Sequence, residues 1–158
     1  GGAAAEDPKV NTLLSQADAA VNAKDYAKAA ELYGKVCTQN PAYSARAWLN
    51  RGFCLAQGPN ASDPAMVAER EKCNRKAIEL GPNDAEAHSG LEYALRDKGD
   101  LRGAEVALRK AVELNPNYAN AHNNLGVLLR NKRDLRGAEE CYRKAIEINP
   151  NYANAHNN

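Results

Sequence analysis

The sequence predicts an all-α fold, an α-solenoid built from helix–turn–helix repeats of about 34 residues. The stretch Asn-Pro-Asn-Tyr-Ala-Asn-Ala-His-Asn-Asn occurs at residues 115–124 and again at 149–158. Pro82, Pro116 and Pro150 have the same spacing, and apolar residues between them recur at intervals of three and four. A fixed period combined with helical periodicity is typical of helical hairpins in which each repeat packs only on its neighbours.

The composition argues against several classes of partner. The chain has 158 residues and a net charge of +1, with basic and acidic residues interspersed, so we expect neither nucleic acid nor a membrane surface as partner. It contains no run of about 18 apolar residues that could span a bilayer. Residues 1–7 lack the basic and apolar regions of a targeting signal, so we expect a cytoplasmic location.

We number the positions of each repeat so that its closing proline is position 32, and this numbering divides the chain into repeats. Residues 1–9 then form a tail, and the repeats are predicted at residues 10–43, 44–84, 85–118 and 119–152. The second repeat contains an insertion at residues 58–64. Residues 153–158 begin a further copy, so we expect the natural array to continue. We call the first helix of each repeat helix A and the second helix B.

Local signals fix where helix B begins. Asp100 and Asp134 lie where an N-cap is needed. Position 15, between the helices, is Gly99 in the third repeat but Lys24 and Arg133 in the first and fourth, and we expect a left-handed residue there.

The insertion in the second repeat reads as a turn followed by a new helix start. It ends on Asp63 as N-cap and Pro64 at the first helical position. Helix B of that repeat is therefore predicted to begin about one turn early, and we expect the inserted loop to be mobile.

The phased positions resemble the tetratricopeptide repeat. The residues that carry the resemblance are Trp48, Gly52 and Leu55; Ala20, Leu95 and Leu129; Ala29, Ala104 and Ala138; Tyr33 and Tyr142; Ala77, Ala111 and Ala145; and Pro41, Pro82, Pro116 and Pro150. Coverage runs from about residue 10 to the end. Arg70 and Asn74 depart from the pattern, since small and aromatic residues are usual there. The resemblance implies a right-handed superhelix whose groove is lined by helix A, and it implies scaffolding or peptide recognition rather than chemistry.

The groove surface is predicted from the positions of helix A that packing does not use, which are 2, 5, 6, 9, 12 and 13. Asn50, Asn124 and Asn158 share position 6, and an amide can pair with both the N–H and C=O of an extended peptide. We therefore predict a partial asparagine ladder; alternatively, these side chains are only solvated polar residues. The candidate peptide-groove residues are Arg46, Asn50, Phe53, Tyr93, Arg96, Asn120, Asn124, Val127 and Asn131.

Three histidines recur at one position of the repeat. His88, His122 and His156 occupy position 4, which is Trp48 in the second repeat. Equivalent atoms of successive repeats lie roughly 10 Å apart, too far to share a metal ion. We interpret the histidines as packing residues and expect no metal site.

The cysteines and carboxylates do not form a recognisable catalytic set. Cys37, Cys54, Cys73 and Cys141 lack zinc-site spacing, so we expect buried free thiols, although a disulfide between Cys54 and Cys73 stays open. Without a phosphate loop or a nucleophile–base set, the chain is expected not to be an enzyme and to need no cofactor.

The leading functional hypothesis is a protein–protein interaction scaffold that binds an extended peptide or partner segment. One alternative is the substrate-recruiting array of a larger enzyme resembling the O-linked N-acetylglucosamine transferases, whose repeat groove carries an asparagine ladder. Another is an artificial chain made to study repeat folding. We also expect an apolar stripe near the C-terminal end, around Tyr142 and Ile146, that supports self-association.

Overall fold

The computed structural model describes residues 7–42 and 44–151, and eight α-helices account for most of them. No strand occurs within these two ranges. The helices are α1 (Pro8–Asn22), α2 (Tyr26–Gln39), α3 (Ala45–Gln57), α4 (Pro64–Leu80), α5 (Ala85–Lys98), α6 (Leu101–Leu114), α7 (Ala119–Asn131) and α8 (Leu135–Ile148).

The chain forms two compact units, Gly1–Asn83 and Asp84–Asn158, which we call the N-terminal unit and the C-terminal unit. Within each, consecutive helices pack on one another, α1 to α4 in the first and α5 to α8 in the second. Each unit is therefore a stack of two helical hairpins. Helix A of the repeat corresponds to α1, α3, α5 and α7, and helix B to α2, α4, α6 and α8.

Small residues fill the contact between the two helices of a hairpin. Ala17 and Ala29 are fully buried in the N-terminal unit, as are Ala104 and Ala111 in the C-terminal unit. Alanine contributes little volume, so the helix axes can approach closely while larger side chains from the flanking turns fill the remaining space. Most of the apolar face predicted from the three- and four-residue spacing is buried, but the prediction is wrong for the first residue of helix B, since Leu101 and Leu135 are exposed.

An aspartate side chain caps helix B by a hydrogen bond in three of the hairpins. The backbone N–H of Gly103 donates to Asp100 Oδ1 over 2.9 Å, and that of Gly137 donates to Asp134 Oδ1 over 3.0 Å. The same bond joins Lys28 N–H to Asp25 Oδ1 over 3.2 Å. These contacts satisfy N–H groups that have no partner within the helix. The predicted capping roles of Asp100 and Asp134 are confirmed.

The turn between the two helices is left-handed in three hairpins. Gly99 has φ 91°, Lys24 has φ 59° and Arg133 has φ 66°. This confirms the prediction made for position 15. A side chain in this region crowds the following carbonyl, and glycine avoids that cost. Lys24 and Arg133 are therefore the strained members of the set.

Replacing Arg133 by glycine should stabilise the chain. We expect Arg133→Gly to raise the free energy of unfolding by about 1 kcal/mol, because the left-handed residue loses its Cβ, and thermal melting followed by circular dichroism measures the shift. Gly99→Ala is the mirror control and should lower the melting temperature. A lower melting temperature for Arg133→Gly would mean that contacts of the arginine side chain outweigh the backbone strain.

The insertion in the second repeat is held by a buried arginine. Helix α4 begins at Pro64, about one turn earlier than the other B helices, as predicted, with Asp63 at the N-cap but without a side-chain capping bond. Arg70 is buried, and its Nη1 donates to the carbonyl of Ala61 over 2.9 Å. The loop also carries the backbone bond from Asp63 N–H to Asn60 O at 3.0 Å. One of these bonds attaches the loop to α4, and the other lies within the loop itself; the mobility of the loop stays a prediction.

Asn74, the second departure in this repeat, is buried against a glycine. Its Nδ2 donates to the Arg70 carbonyl over 2.8 Å, and a Cβ on Gly52 would lie 3.1 Å from the same nitrogen. Of the two departures, Arg70 thus bonds the insertion, whereas Asn74 bonds within α4 and packs beside Gly52.

A glycine and a tyrosine set the contact between α7 and α8. A Cβ on Gly126 would lie 2.6 Å from Tyr142 Cε1, so the ring occupies the space that any side chain would need. Tyr142 is only 7% exposed, and the apolar stripe predicted around it is wrong for this residue. Ile146 is half-buried. The exposed apolar side chain on this helix is Leu135, at 68%.

Candidate functional site

Position 4 of helix A has a structural role. Trp48 Nε1 donates to the Pro41 carbonyl over 2.8 Å, and His122 Nε2 lies 2.8 Å from the Pro116 carbonyl. Each ring thus links the first turn of helix A to the proline that closes the preceding repeat. His156 lies outside the described residues. Among the described side chains, no group of three His, Cys, Asp or Glu residues could hold a metal ion.

The candidate peptide-groove residues differ in exposure. Phe53 is 51% exposed, and Asn124, at 8%, is buried. The prediction that Asn124 offers its amide to solvent is therefore wrong. Position 5 was also assigned to the surface, but its members in the last three repeats are buried, namely Leu49, Ser89 and Asn123. The other candidates are exposed (Arg46, Asn120 and Asn131) or half-buried (Asn50, Tyr93, Arg96 and Val127).

Two of the candidates meet in a cleft between α1 and α3 of the N-terminal unit, which we call the A-face cleft. Its volume is about 290 Å³. Asn50 and Phe53 come from α3, and Phe53 packs edge-to-face on Tyr26 with ring centroids 6.0 Å apart. The full lining is Asp18, Val21, Asn22, Tyr33, Asn50, Phe53 and Cys54. The cleft thus combines an exposed ring, two amides and one carboxylate.

A hydrogen-bonded tyrosine forms the floor of the A-face cleft. The Tyr33 hydroxyl donates to Asp18 Oδ1, and the Asn50 side chain hydrogen-bonds the same hydroxyl. Burial and the neighbouring Asp18 carboxylate raise the pKa of Tyr33 well above its usual range. The phenol therefore stays protonated at neutral pH and holds Asp18 and Asn50 in fixed positions.

Three other candidates meet between α5 and α7 of the C-terminal unit. The Arg96 guanidinium carbon lies 4.9 Å from the centroid of the Tyr93 ring, a cation–π distance. Asn124 Nδ2 donates to Tyr93 Oη over 3.2 Å and lies 3.5 Å from Glu92 Oε2. Arg96 Nη1 lies 3.1 Å from Glu92 Oε1. The amide, ring and cation are therefore bonded to one another within the chain.

Glu92 is the residue at this cluster that the sequence analysis missed. It is 0% exposed and occupies position 8, where the other repeats have Ala17, Gly52 and Gly126. Burial raises the pKa of Glu92 to about 7, although the Arg96 charge acts in the opposite direction. The sequence does contain a signal for Glu92, because a carboxylate stands at a position that is glycine or alanine in the other repeats.

A larger cleft of about 750 Å³ lies on the helix B side of the N-terminal unit, between α2 and α4. Its charged rim is largely paired within α4, with Arg75 Nε 3.0 Å from Glu71 Oε1 and Lys76 Nζ 3.1 Å from Glu79 Oε1. Because these charges satisfy one another, the rim presents little net charge to a ligand.

The cysteines are free thiols in the structure. Cys37, Cys54 and Cys73 are buried, whereas Cys141 is only half-buried. Burial raises the pKa of Cys54 to about 11, so this thiol is protonated at neutral pH and is a poor nucleophile.

Family models identify the type of repeat. Models described as tetratricopeptide repeat match residues 14–85 and 119–152, and a model described as TPR repeat matches residues 93–132. No curated protein sequence matches the chain. No helix in the described ranges has both the length and the apolar content needed to cross a membrane.

Several solved structures share the fold. MamA residues 41 to the end, from Desulfovibrio magneticus RS-1, has a TM-score of 0.77 at 24% identity, covering 90% of this chain and 77% of its own. YrrB, a TPR protein with an unusual peptide-binding site, has a TM-score of 0.78 at 22% identity, with coverages of 94% and 73%. The first TPR of Spaghetti (RPAP3), bound to the HSP90 peptide SRMEEVD, has a TM-score of 0.64 at 21% identity, with coverages of 73% and 87%. The fold is an all-α solenoid of helical repeats.

Proposed function

The chain belongs to the tetratricopeptide repeat family, and we propose that it is a protein-interaction scaffold that binds an extended peptide segment of a partner protein on the helix A side of its hairpins. The observation that carries this proposal is the A-face cleft, in which the half-exposed ring of Phe53 stands beside amide groups. Aromatic side chains in partly desolvated clefts are frequent anchors of binding energy.

The polar groups around Phe53 suit a peptide main chain. Asn22 and Asn50 line the same cleft, and each amide can both donate and accept a hydrogen bond. A bound strand could thus pair its N–H and C=O groups while one side chain packs against the ring. YrrB has an unusual peptide-binding site, and the first TPR of Spaghetti (RPAP3) is bound to an HSP90 peptide, so two proteins of similar fold support peptide binding by analogy.

The alternative, a substrate-recruiting array of a larger enzyme, depended on the asparagine ladder. In the described residues the two ladder amides are engaged by the chain itself, Asn50 with Tyr33 and Asn124 with Tyr93. Asn158 lies outside the described residues. Because Asn124 is buried and bonded within the chain, it does not continue a surface row of amides from Asn50, and no observation favours the ladder over a cleft that binds a side chain.

A peptide-selection experiment tests the proposal. Peptides of random sequence are selected on the whole chain, and their dissociation constants are measured by isothermal titration calorimetry on the wild type and on Phe53→Ser. Because the ring supplies much of the exposed apolar surface of the cleft, we expect Phe53→Ser to weaken the selected peptides by about tenfold.

Leu135→Ser is the matched control. Leu135 is also a large exposed apolar residue, but it begins a B helix, so its replacement should leave the affinity unchanged. Equal losses for the two variants would indicate non-specific apolar binding, and an unchanged affinity for Phe53→Ser would place the peptide elsewhere. Either result contradicts the proposal.

A further inference from the structure

The A-face cleft contains a carboxylate with one oxygen unused. Asp18 Oδ1 accepts the Tyr33 hydroxyl, but in the described part of the chain Asp18 has no other hydrogen bond and no ion pair. Among the residues that line the cleft, Asp18 is the only charged one. The cleft therefore has an uncompensated negative charge and a free acceptor, Oδ2, which favour a cationic ligand.

The walls of the same cleft are apolar over part of their surface. Val21 and Phe53 both line it, and Phe53 is half-exposed in spite of its contact with Tyr26. The volume of about 290 Å³ is sufficient for one long side chain. Lysine and arginine combine an apolar stem with a charged end, so they match a cleft that has an aromatic wall and a carboxylate.

In the C-terminal unit, a carboxylate and an aromatic ring both contact a cation that the chain itself supplies. There Arg96 stacks on Tyr93 and pairs with Glu92. Arg96 is at position 12 of its repeat, and position 12 of the first repeat is Val21. In the N-terminal unit the carboxylate of Asp18 and the ring of Phe53 come from two helices, α1 and α3, rather than from one, and position 12 of α1 is a valine instead of an arginine.

We propose that the A-face cleft is a specificity pocket for a lysine or arginine side chain of the bound peptide, with the cation at Asp18 Oδ2 and its stem along Phe53. The inference rests on the proposed function, since it names the side chain that the peptide-binding surface selects. A glutamate in the same place meets the Asp18 charge and is rejected, while norleucine makes only the apolar contact.

The test uses single-residue probes and nuclear magnetic resonance on the whole chain. Nα-acetyl-lysine methylamide is titrated while the side-chain amide signals of Asn22 and Asn50 are followed, and the norleucine and glutamate analogues are titrated in parallel. We expect the lysine probe to bind about three- to fivefold more tightly than norleucine at low salt, the range of an exposed ion pair with a cation–π contact. Added salt should reduce the difference.

Two test variants and one control separate the effect of the Asp18 charge from any effect on folding. Asp18→Asn removes the charge but keeps an acceptor for the Tyr33 hydroxyl, so we expect the lysine preference to vanish while the norleucine affinity persists. Glu31→Gln, an exposed carboxylate on helix B of the same hairpin, is the control and should change nothing. Val21→Arg places a cation within the chain, as in the C-terminal unit, and should exclude the lysine probe.

The outcomes distinguish this inference from the proposed function. Equal affinities for the lysine and norleucine probes, an unchanged preference in Asp18→Asn, or no lysine-dependent shift at all overturns the pocket. Peptides that still lose affinity with Phe53→Ser would then leave the peptide-binding surface in place. Selected peptides that lack a basic residue would also contradict the lysine or arginine pocket, but not the proposed peptide binding.

Discussion

Glu92→Gln is expected to stabilise the chain at pH 8 by about 2–3 kcal/mol and to leave its stability at pH 4.5 nearly unchanged. Burial raises the pKa of Glu92 from 4.5 in the unfolded chain to about 7 in the folded one. The folded state therefore binds this proton more tightly, so the stabilising contribution is complete below pH 4.5 and is lost as the pH rises through 7. Each unit of difference between the two pKa values corresponds to about 1.4 kcal/mol in the free energy of unfolding. Glutamine resembles the protonated acid and does not titrate.

The measurement is urea denaturation followed by far-ultraviolet circular dichroism at several pH values, for the wild type and Glu92→Gln. Other carboxylates titrate in both proteins, so their contributions cancel in the difference. Glu113→Gln removes an exposed carboxylate of the same unit and should shift stability by less than about 0.5 kcal/mol. A difference between wild type and Glu92→Gln that does not depend on pH would show that the pKa of Glu92 is the same in the folded and unfolded chains, which contradicts the prediction.

Gly126→Leu is expected to destabilise the chain by about 2 kcal/mol or more. The ring of Tyr142 already occupies the position of the new side chain, since even a Cβ would lie 2.6 Å from Cε1. Overpacking of this kind costs about 1–3 kcal/mol and exceeds the gain in helix propensity from replacing glycine. The free energy of unfolding from urea titrations measures the loss.

A second substitution should relieve the clash. In the third repeat a large side chain at position 8, Glu92, lies in the same hairpin as Leu108 at the tyrosine position. Gly126→Leu combined with Tyr142→Leu should therefore cost less than the sum of the single changes, which a double-mutant cycle quantifies. Gly58→Ala is the control, because the nearest atom to its Cβ would be 3.9 Å away. Additive effects would mean that the two residues do not share the space.

Features that depend on neighbours along the chain were predictable from the sequence. The Asp100 and Asp134 caps and the early start of α4 at Pro64 follow from residues within a few positions of the helix ends. The left-handed turns were predictable because a glycine at position 15 of one repeat identified the conformation required in the others.

Features that depend on a partner from another helix were not predictable. Asn124 was assigned to the surface by its position in helix A, but its burial depends on Tyr93 and Glu92 of the preceding repeat. Arg70 was recognised as a departure, yet its bond to Ala61 requires knowing where the insertion folds. Periodicity identifies which face of a helix is apolar, but not which polar side chains on the opposite face pair with each other.

Trp48 is an intrinsic fluorescent probe of one part of the molecule. It is the only tryptophan in the chain, it is buried in the N-terminal unit, and its indole nitrogen bonds to the Pro41 carbonyl. Its emission reports the melting of that unit alone, whereas ellipticity averages over all the helices. The gap between the two melting curves therefore measures how far cooperativity extends along the array, without any added dye.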